Sequence, residues 1–503
     1  MSQRNYFQLV PSIGLNRGGL TKAVYDRSSV FCESGTKPVF VLPFIQPDAR
    51  SIFEQVQSTG KLGTAVLLSL YEHLSEARGN DGEVVRPLGN FDELREFAHK
   101  VTEEHANGNT TRYFKDGIFL GAESYTANNV LSAITYHDPQ EPWKPLARDT
   151  FNHLGTIVSR TYLDTTFSAR YRIYYSPSGI PVLSHWISPA EKNYRFIAYD
   201  SRGFARQYNS LEDLQAEWLK KCLDIYAPEF IISDEPVTLP FLKVNARTPI
   251  TRTVAAIHTT HTKDQTANRE YKSWFSQYGA MNSCIDKFVF FTNAQRSDFA
   301  RDANIPIEKC LVISHPAPLP VAASTEKKGI VTVSRLDKFK RIDDSIKAFS
   351  LIAEKHPSVN YEIFGTGPEE ASLKDLIKSL KLENRIRLNG YTDRPLECFA
   401  NADFSLFTSR YEGFGLTLLE SLVQECPVIS YKVLYGPLEI IKDSTNGLLV
   451  QNGDIEALAE AIDRLLSDPT LLENLKQNCR AVNESYDIDN WKSGWQSLLN
   501  RPD

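Results

Sequence analysis

The chain has 503 residues, of which 42% are hydrophobic and 23% charged, and its formal net charge is -6 at pH 7. This length is too great for one ordinary core and predicts two or three domains. The composition excludes disordered and fibrous proteins, and the mild negative charge excludes a polycationic nucleic-acid binder, so local basic clusters would have to meet any anionic partner.

The first predicted elements form a βαβ-type opening. Residues 5–13 alternate like a strand, the glycine turn GLNRGG follows, and LTKAVYDRSSVF has helical spacing. A second short strand is predicted at 38–44 and a helix at 62–77. From residue 78 the pattern changes to aromatic and β-branched segments cut by turns, which predicts a β-rich insert over 78–209. An amphipathic helix at 210–226 ends it.

The alternation of strands and helices returns after the insert. Apolar runs without polar alternation, typical of parallel strands covered on both faces, lie at 229–236, 252–258, 287–293 and 310–316. A segment rich in proline, alanine, serine and lysine (317–329) is a predicted linker. A second doubly wound series then has strands at 330–336, 360–368, 385–391, 403–409 and 426–431.

The predicted fold class is therefore α/β, with two Rossmann-like halves, a β-rich insert in the first half and a terminal helix. The predicted domains are 1–77 with 210–316, the insert 78–209, the second Rossmann-like domain 317–485, and the helix 486–503.

Cysteine usage and the N-terminal segment predict the compartment. Seven cysteines are scattered without a C-x-x-C pair, which is typical of reduced core thiols and disfavours a zinc site. The N-terminal segment lacks the apolar region of a signal peptide, and no apolar run reaches the ~18 residues of a membrane span. We expect a cytoplasmic protein, with contact at the inner face of the membrane left open.

Gly18 and Gly19 lie between the first predicted strand and helix. Such a pair lets a ligand approach bare backbone where a helix start favours negative charge, and the alternative is a glycine pair that only shapes a turn. The pattern is not G-x-G-x-x-G, and the next acid, Asp26, falls on the helix, which disfavours a nicotinamide dinucleotide.

Basic and glycine residues follow three consecutive predicted strands of the second half. Arg335 follows the first strand and Lys340 opens the next helix, where the two cations could neutralise a diphosphate without a metal. The alternative is a solvated basic helix start. Gly365 and Gly367 follow the next strand, and the turn from Asn389 to Tyr391 follows the third, at the sheet edge where ligands bind in such folds.

The stretch SRYEGFGLTLLESL places Glu412 before a glycine corner and Glu420 inside a predicted helix. Backbone N–H groups near Gly415, Leu416 and Thr417, together with the helix dipole, favour an anion at this helix start. Carboxylates accept the hydrogen bonds of sugar hydroxyls, which suits a sugar nucleotide. The alternative is a pair of surface acids.

No metal-ligand set is predicted. His258, His261 and His315 are irregularly spaced, and because we expect no carboxylate partner near them, we predict structural or substrate-contact roles. The Asp-x-Asp pattern at 487–489 precedes the last helix and is predicted to be a cap.

These motifs together resemble the retaining glycosyltransferases of the GT-B fold, which have two Rossmann-like domains facing a cleft. The segments LNRGGLTKAVYDRS, AAIHTTHT, SRLDKFKRID, YEGFGLTLLESL and YKVLYGPLEIIKD further resemble the poly(ribitol-phosphate) and poly(glycerol-phosphate) α-glycosyltransferases that decorate wall teichoic acid in the cell wall. This likeness spans most of the chain and implies that residues 1–77 with 210–316 form the acceptor domain and residues 317–485 the nucleotide-sugar domain, with the insert 78–209 serving oligomerisation or acceptor binding. Those enzymes also carry a β-rich insert in the N-terminal domain, so the resemblance implies a homo-oligomer, often a trimer, formed through it.

The resemblance implies a UDP-sugar donor, UDP-glucose or UDP-N-acetylglucosamine, bound without a metal or other cofactor, and transfer of the sugar in α linkage. The implied donor contacts are Gly18, Gly19, Gly365, Gly367, Asn389, Tyr391, Gly415, Leu416 and Thr417, with Glu420 on the ribose. The implied catalytic set is Arg335 and Lys340 on the diphosphate, and Glu412 and His258 at the donor sugar. Whether Glu412 is a nucleophile or an electrostatic stabiliser stays open.

Two rival functions share this donor site. One is a protein O-glycosyltransferase for Ser/Thr-rich surface adhesins, and the other is a non-catalytic, chaperone-like subunit of such an enzyme. A polyol-phosphate acceptor needs a basic groove, whereas a serine-rich peptide does not. The candidate groove residues are Arg4, Arg17, Lys22, Arg27, Lys243, Arg247 and Arg252.

Overall fold

A computed structural model gives the fold. It describes residues 4–14, 19–79, 84–88, 98–105, 108–116, 118–126, 128–138, 140–141, 143–187, 195–245, 251–263, 270–323 and 329–500. The chain divides into two compact units: residues 1–231 with 240–251 form unit 1, and residues 232–239 with 252–503 form unit 2. The predicted domain limits stay a prediction.

Unit 1 opens with parallel strands alternating with helices. The elements are β1 (Arg4–Leu9), α1 (Gly19–Glu33), β2 (Thr36–Leu42), α2 (Ala49–Ser58), β3 (Val66–Ser69) and α3 (Leu70–Arg78). The predicted helix at 62–77 is wrong in its first part, because Leu67 pairs with Phe40 of β2 as a parallel strand. The strand has only four residues, and its pairing with β2 overrides the helical spacing around it.

The insert is an antiparallel sheet, as its aromatic and β-branched pattern predicts. Its strands are β4 (His99–His105), β5 (Gly108–Lys115), β6 (Ile118–Tyr125), β7 (Leu131–His137), β8 (Pro145–Phe151), β9 (Ile157–Leu163), β10 (Ala169–Tyr175), β11 (Pro181–Trp186), β12 (Phe196–Tyr199) and β13 (Ala205–Tyr208). In the described residues these ten strands lie side by side in chain order. Tyr113, Ile134 and Ala147 are in its small core, beside a buried ion pair of Arg160 with Asp149 (2.7 Å).

Helix α4 (Leu211–Tyr226) follows the insert, close to its predicted limits. Ser210 caps its first turn by accepting a hydrogen bond from the Asp213 N–H (3.1 Å). Trp218 is buried, and the Gln215 amide donates to the Pro43 carbonyl (2.8 Å). Short helix α5 (Leu242–Asn245) is the last helix described in unit 1.

Unit 2 begins with strands that the apolar runs predict. They are β14 (Phe230–Ser233, which spans the unit boundary), β15 (Arg252–Ala256), β16 (Lys287–Phe290) and β17 (Cys310–Val312), with helices α6 (Phe275–Ala280) and α7 (Asn293–Asp302) between them. Strands β15, β16 and β17 are parallel. In the described residues the strand order of this sheet is β17-β16-β15-β14-β1-β2-β3.

The second series of unit 2 is a doubly wound parallel sheet, as predicted. Its strands are β18 (Ile330–Val333), β19 (Tyr361–Phe364), β20 (Ile386–Leu388), β21 (Phe404–Phe407), β22 (Val428–Tyr431) and β23 (Gly447–Val450). Its helices are α8 (Ile342–Ile352), α9 (Glu370–Ser379), α10 (Pro395–Ala400), α11 (Leu416–Leu422), α12 (Gly436–Ile440) and α13 (Ile455–Ser467). Over the described positions the order is β20-β19-β18-β21-β22-β23, which reverses between β18 and β21.

Three helices close the chain: α14 (Pro469–Asn478), α15 (Val482–Ser485) and α16 (Ile488–Asn500). Asp487 accepts hydrogen bonds from the N–H groups of Asp489 (2.9 Å) and Asn490 (3.0 Å), so the Asp-x-Asp pattern is the predicted cap. Within the described ranges, no helix is long and apolar enough to cross a membrane.

Candidate active site

The candidate site lies where the strand order of the second sheet in unit 2 reverses. Strands β18 and β21 are neighbours there, and the loops after their carboxyl ends meet. The Thr408 hydroxyl donates to the Lys340 carbonyl (2.9 Å), and the Arg410 N–H donates to the Phe339 carbonyl (2.8 Å). Ligands of open α/β sheets bind in the crevice at such a reversal.

Lys340 and Glu412 form an ion pair across these two loops. The Lys340 ammonium donates to Glu412 Oε1, and the Ser409 hydroxyl donates to the same oxygen (2.8 Å). The side chains of Lys340 and Glu412 are only 22% and 14% exposed. The alternative of solvated surface charges is therefore wrong for both residues.

Arg335 lies on the same loop as Lys340 but in a different environment. Its side chain is 74% exposed, and its guanidinium pairs with Asp337 (2.8 Å). The other oxygen of Asp337 accepts the Phe339 N–H (3.0 Å), so this carboxylate orders the loop. Arg335 is thus free to reach a ligand, whereas Lys340 is held in place.

Gly365 and Gly367 are required by a close approach of two backbones. A Cβ on Gly365 would lie 1.8 Å from the Ser334 carbonyl oxygen, and one on Gly367 would lie 2.2 Å from the Leu336 carbonyl oxygen. The Leu336 N–H also donates to the Thr366 carbonyl (2.9 Å). The two glycines therefore set the position of the loop that carries Arg335.

The turn after β20 lies beside the same glycine loop. The Gly365 N–H donates to the Gly390 carbonyl (2.6 Å), and the Asn389 amide donates to Glu362 (2.6 Å). Tyr391 is 56% exposed. The three predicted strand ends thus lie side by side on one sheet edge, and their contact with a nucleotide base stays a prediction.

Helix α11 begins at the glycine corner as expected. Gly415 adopts a left-handed conformation (φ 86°) directly before Leu416 and Thr417, and its carbonyl accepts the Leu418 N–H (2.9 Å). Glu420 is the fifth residue of the helix and only 6% exposed, which excludes the surface-acid alternative for it. A buried carboxylate at this edge suits the predicted hydroxyl contact.

His258 is bonded to a carboxylate that sequence reasoning missed. Its Nε2 lies 2.7 Å from Asp234 Oδ1, and its ring packs 4.3 Å from the Phe291 ring. A Cβ on Gly413 would lie 2.0 Å from the His258 carbonyl oxygen, so the histidine loop touches the glutamate loop. The expectation that no carboxylate lies near His258 is wrong, because Asp234 directly follows another strand, β14, and its side chain contacts the imidazole.

His261 and His315 have packing roles. His261 is fully buried, with Nε2 2.9 Å from Asp302 Oδ2 and its ring 4.8 Å from Phe275. His315 stacks on Phe291 at 4.1 Å. In the part of the chain that the structure describes, no group of three metal-ligating side chains occurs.

Lys272 was not predicted, yet it belongs to this cluster. Its ammonium donates to the Thr259 hydroxyl (3.2 Å) and lies 4.6 Å from the centre of the Tyr411 ring. Burial lowers the pKa of Lys272 to about 8, against the opposing field of Glu412. No periodicity or spacing in the sequence connects residue 272 with residue 412.

The structure describes only some of the residues of unit 1 that the sequence predicts to bind a ligand. Gly18 falls outside the described residues, and Gly19 is the first residue of α1. The prediction that Arg27 lines a basic groove is wrong, because this residue is 2% exposed and its guanidinium donates to Gln8 (2.5 Å) in the core. Arg17 and Arg247 also lie outside the described residues.

The comparisons with known proteins define the class. Residues 320–482, which include the loops of Lys340 and Glu412, match the family described as glycosyl transferases group 1. Together with the doubly wound sheet and its strand-order reversal, this match shows that the chain is a glycosyltransferase with the GT-B fold and a domain of this family.

Two relatives extend the similarity over nearly the whole chain. The chain is 27% identical to a poly(glycerol-phosphate) alpha-glucosyltransferase of Bacillus subtilis, covering 99% of this chain and 75% of the relative. It is 23% identical to a poly(ribitol-phosphate) alpha-N-acetylglucosaminyltransferase of Staphylococcus aureus, covering 99% and 100%. A crystal structure of Staphylococcus aureus TarM with fondaparinux, alpha-GlcNAc-glycerol and UDP superposes with a TM-score of 0.81 at 21% identity, covering 99% and 100%.

Proposed function

We propose that this protein transfers a hexose or N-acetylhexosamine from a UDP-sugar to the polyol-phosphate repeats of wall teichoic acid, with retention, in α linkage. The observation that carries the proposal is the partly buried Lys340–Glu412 pair at the strand-order reversal. The two relatives, which act on glycerol-phosphate and ribitol-phosphate polymers, match 99% of the chain and so support the acceptor class.

The donor diphosphate would bind between the loops after β18 and β21. Arg335 is exposed and supplies one cation for the phosphates, and Lys340, held by Glu412, supplies a second, positioned cation. The negative charge that develops on the departing UDP is stabilised by these two side chains and by the start of α11. Glu420 accepts ribose hydroxyls, and the turn from Asn389 to Tyr391 borders the base.

The anomeric carbon gains positive charge as UDP departs. Glu412, held by Lys340 and Ser409, then places a carboxylate beside that carbon. The acceptor hydroxyl attacks from the face that UDP leaves, and a phosphate oxygen of UDP takes its proton. His258, oriented by Asp234, donates or accepts a hydrogen bond at a sugar hydroxyl.

The transferred sugar and the polyol remain to be measured, because the two relatives differ in both. One transfers glucose to a glycerol-phosphate polymer, and the other N-acetylglucosamine to a ribitol-phosphate polymer. The direct test incubates the protein with UDP-glucose, UDP-N-acetylglucosamine and UDP-galactose against each polymer and a serine-rich adhesin peptide, measuring UDP release. UDP release with a polymer supports the proposal, release with the peptide alone supports the protein O-glycosyltransferase, and no release at all supports the non-catalytic subunit.

We also propose that the protein acts without a metal ion, in the cytoplasm and at the inner membrane face, and as a homo-oligomer, such as a trimer, assembled through the insert. Basic side chains bind the polymer, so the KM of the acceptor rises with salt. Light scattering measures the oligomer, and a variant with the insert edge strand β13 (Ala205–Tyr208) changed to lysines is expected to be monomeric. Activity retained in a chelator supports metal independence.

A further inference from the structure

Lys272 lies in a short antiparallel pairing of two backbone segments in the loop after β15. The Lys272 N–H donates to the His261 carbonyl (2.8 Å), and the Lys263 N–H donates to the Glu270 carbonyl (2.7 Å). His261 is itself buried and bonded to Asp302 (2.9 Å). The backbone of Lys272 is therefore fixed to the core of unit 2, and its side chain is positioned before any ligand arrives.

The Lys272 ammonium lies at the candidate active site but forms no ion pair among the residues that the structure describes. One hydrogen bond goes to the Thr259 hydroxyl (3.2 Å), and the Tyr411 ring covers another side at 4.6 Å. An ammonium has three donors, so this side chain keeps the capacity to bind an anion. Its half-buried position strengthens such a contact, since water screens it less.

We propose that Lys272 binds the phosphate of the acceptor's polyol-phosphate unit and thereby positions the attacking hydroxyl beside Glu412. This inference rests on the proposed function and names the residue that recognises the acceptor at the reacting centre. Lys272 is a substrate-binding residue here, and no bond to it forms or breaks.

The position of Lys272 favours the acceptor over the donor. Arg335 and Lys340, the cations proposed for the diphosphate, lie on the loop after β18. Lys272 lies on the loop after β15, in the half that the sequence predicts to bind the acceptor, and it meets the Glu412 loop through Tyr411. Burial also lowers the pKa of Lys272, which indicates that its ammonium is partly desolvated, and a bound anion raises that pKa again.

The test compares Lys272→Met with Lys263→Met. Lys263 lies on the same paired segment, but its side chain is 58% exposed and its ammonium pairs with Glu270 (3.1 Å), so it is a control of equal charge change. We measure the Kd of UDP, the Kd of poly(glycerol phosphate) in the absence of donor, and the kinetic constants with both substrates. Thermal denaturation checks folding, and Lys272→Arg keeps the charge.

The expected result is a rise of roughly 10- to 100-fold in the Kd and KM of the polymer for Lys272→Met, with the Kd of UDP within twofold of wild type. Lys263→Met should behave like wild type, and Lys272→Arg should recover most of the affinity. An unchanged polymer Kd, or an equal loss of UDP affinity, would overturn the inference. If wild type binds the polymer but transfers no sugar, the proposed function fails while the binding comparison still tests Lys272.

Discussion

Replacing Glu412 by glutamine removes one negative charge from the candidate active site and leaves its shape nearly unchanged. In wild type this carboxylate accepts hydrogen bonds from Lys340 and Ser409, and its side chain is 14% exposed. If Glu412 stabilises a developing positive charge on the donor sugar, Glu412→Gln lowers kcat and leaves the Kd of UDP little changed, because UDP carries no such charge.

The size of the expected fall in kcat follows from the charge of Glu412 and the exposure of its side chain. Two unit charges 4 Å apart interact by about 4 kcal/mol at an effective dielectric constant of 20. Because Glu412 retains some solvent exposure, we expect about 2–4 kcal/mol, which corresponds to roughly a 30- to 1,000-fold fall in kcat. Folding stability should fall by only about 1–2 kcal/mol, since Lys340 is 22% exposed and stays partly hydrated.

The assay combines UDP release with urea denaturation. Glu141→Gln is the matched control, because Glu141 forms an exposed pair with Lys144 (3.1 Å) in the insert, outside the loops that carry the candidate site. We expect the control to keep wild-type kcat. A Glu412→Gln enzyme whose kcat lies within threefold of wild type would refute the assigned role of this carboxylate.

Three further predictions follow from the geometry. Gly365→Ala should lower the free energy of unfolding by about 2 kcal/mol or more and raise the KM of the donor, because its Cβ would lie 1.8 Å from a backbone oxygen. Gly390→Ala is the control: its Cβ would meet nothing within 4 Å, so only its left-handed backbone should cost about 1–2 kcal/mol. Thermal denaturation and initial rates measure both variants. Asp234→Asn should lower kcat roughly tenfold by releasing His258, with a melting temperature near wild type; a wild-type kcat would show that orientation of the histidine is unimportant. The pKa of Lys272 is lowered to about 8, so its ammonium is lost as the pH rises through 8; the KM of the polymer should rise there in wild type and stay flat in Lys272→Met.

The alternation of strands and helices predicts much of the fold because each short apolar run becomes a buried parallel strand. Lys340 and Glu412 each follow a predicted strand of the second sheet in unit 2, but only the pairing of β18 with β21 in the structure brings their side chains together. The strand Val66–Ser69 could not be predicted, because four residues inside a helical pattern are assigned only by pairing with β2.

The site residues that sequence reasoning missed depend on tertiary contacts. Asp234 and Lys272 reach the site from loops far from the predicted motifs, and neither stands in a motif of its own. Gly365 and Gly367 were identified as ligand contacts, and the structure adds a second reason for them, because the Arg335 loop needs the space that a side chain would fill. Backbone clearance of this kind leaves no periodic signal in a sequence.

Sugar transfer with retention is tested most directly by the anomeric configuration of the product. The protein is incubated with UDP-glucose or UDP-N-acetylglucosamine and purified teichoic acid, and the one-bond carbon–hydrogen coupling at the anomeric position is measured by NMR. We expect an α-linked sugar on the polyol and the release of an equimolar amount of UDP. A β-linked product, or no transfer from any UDP-sugar to either polymer, would contradict it.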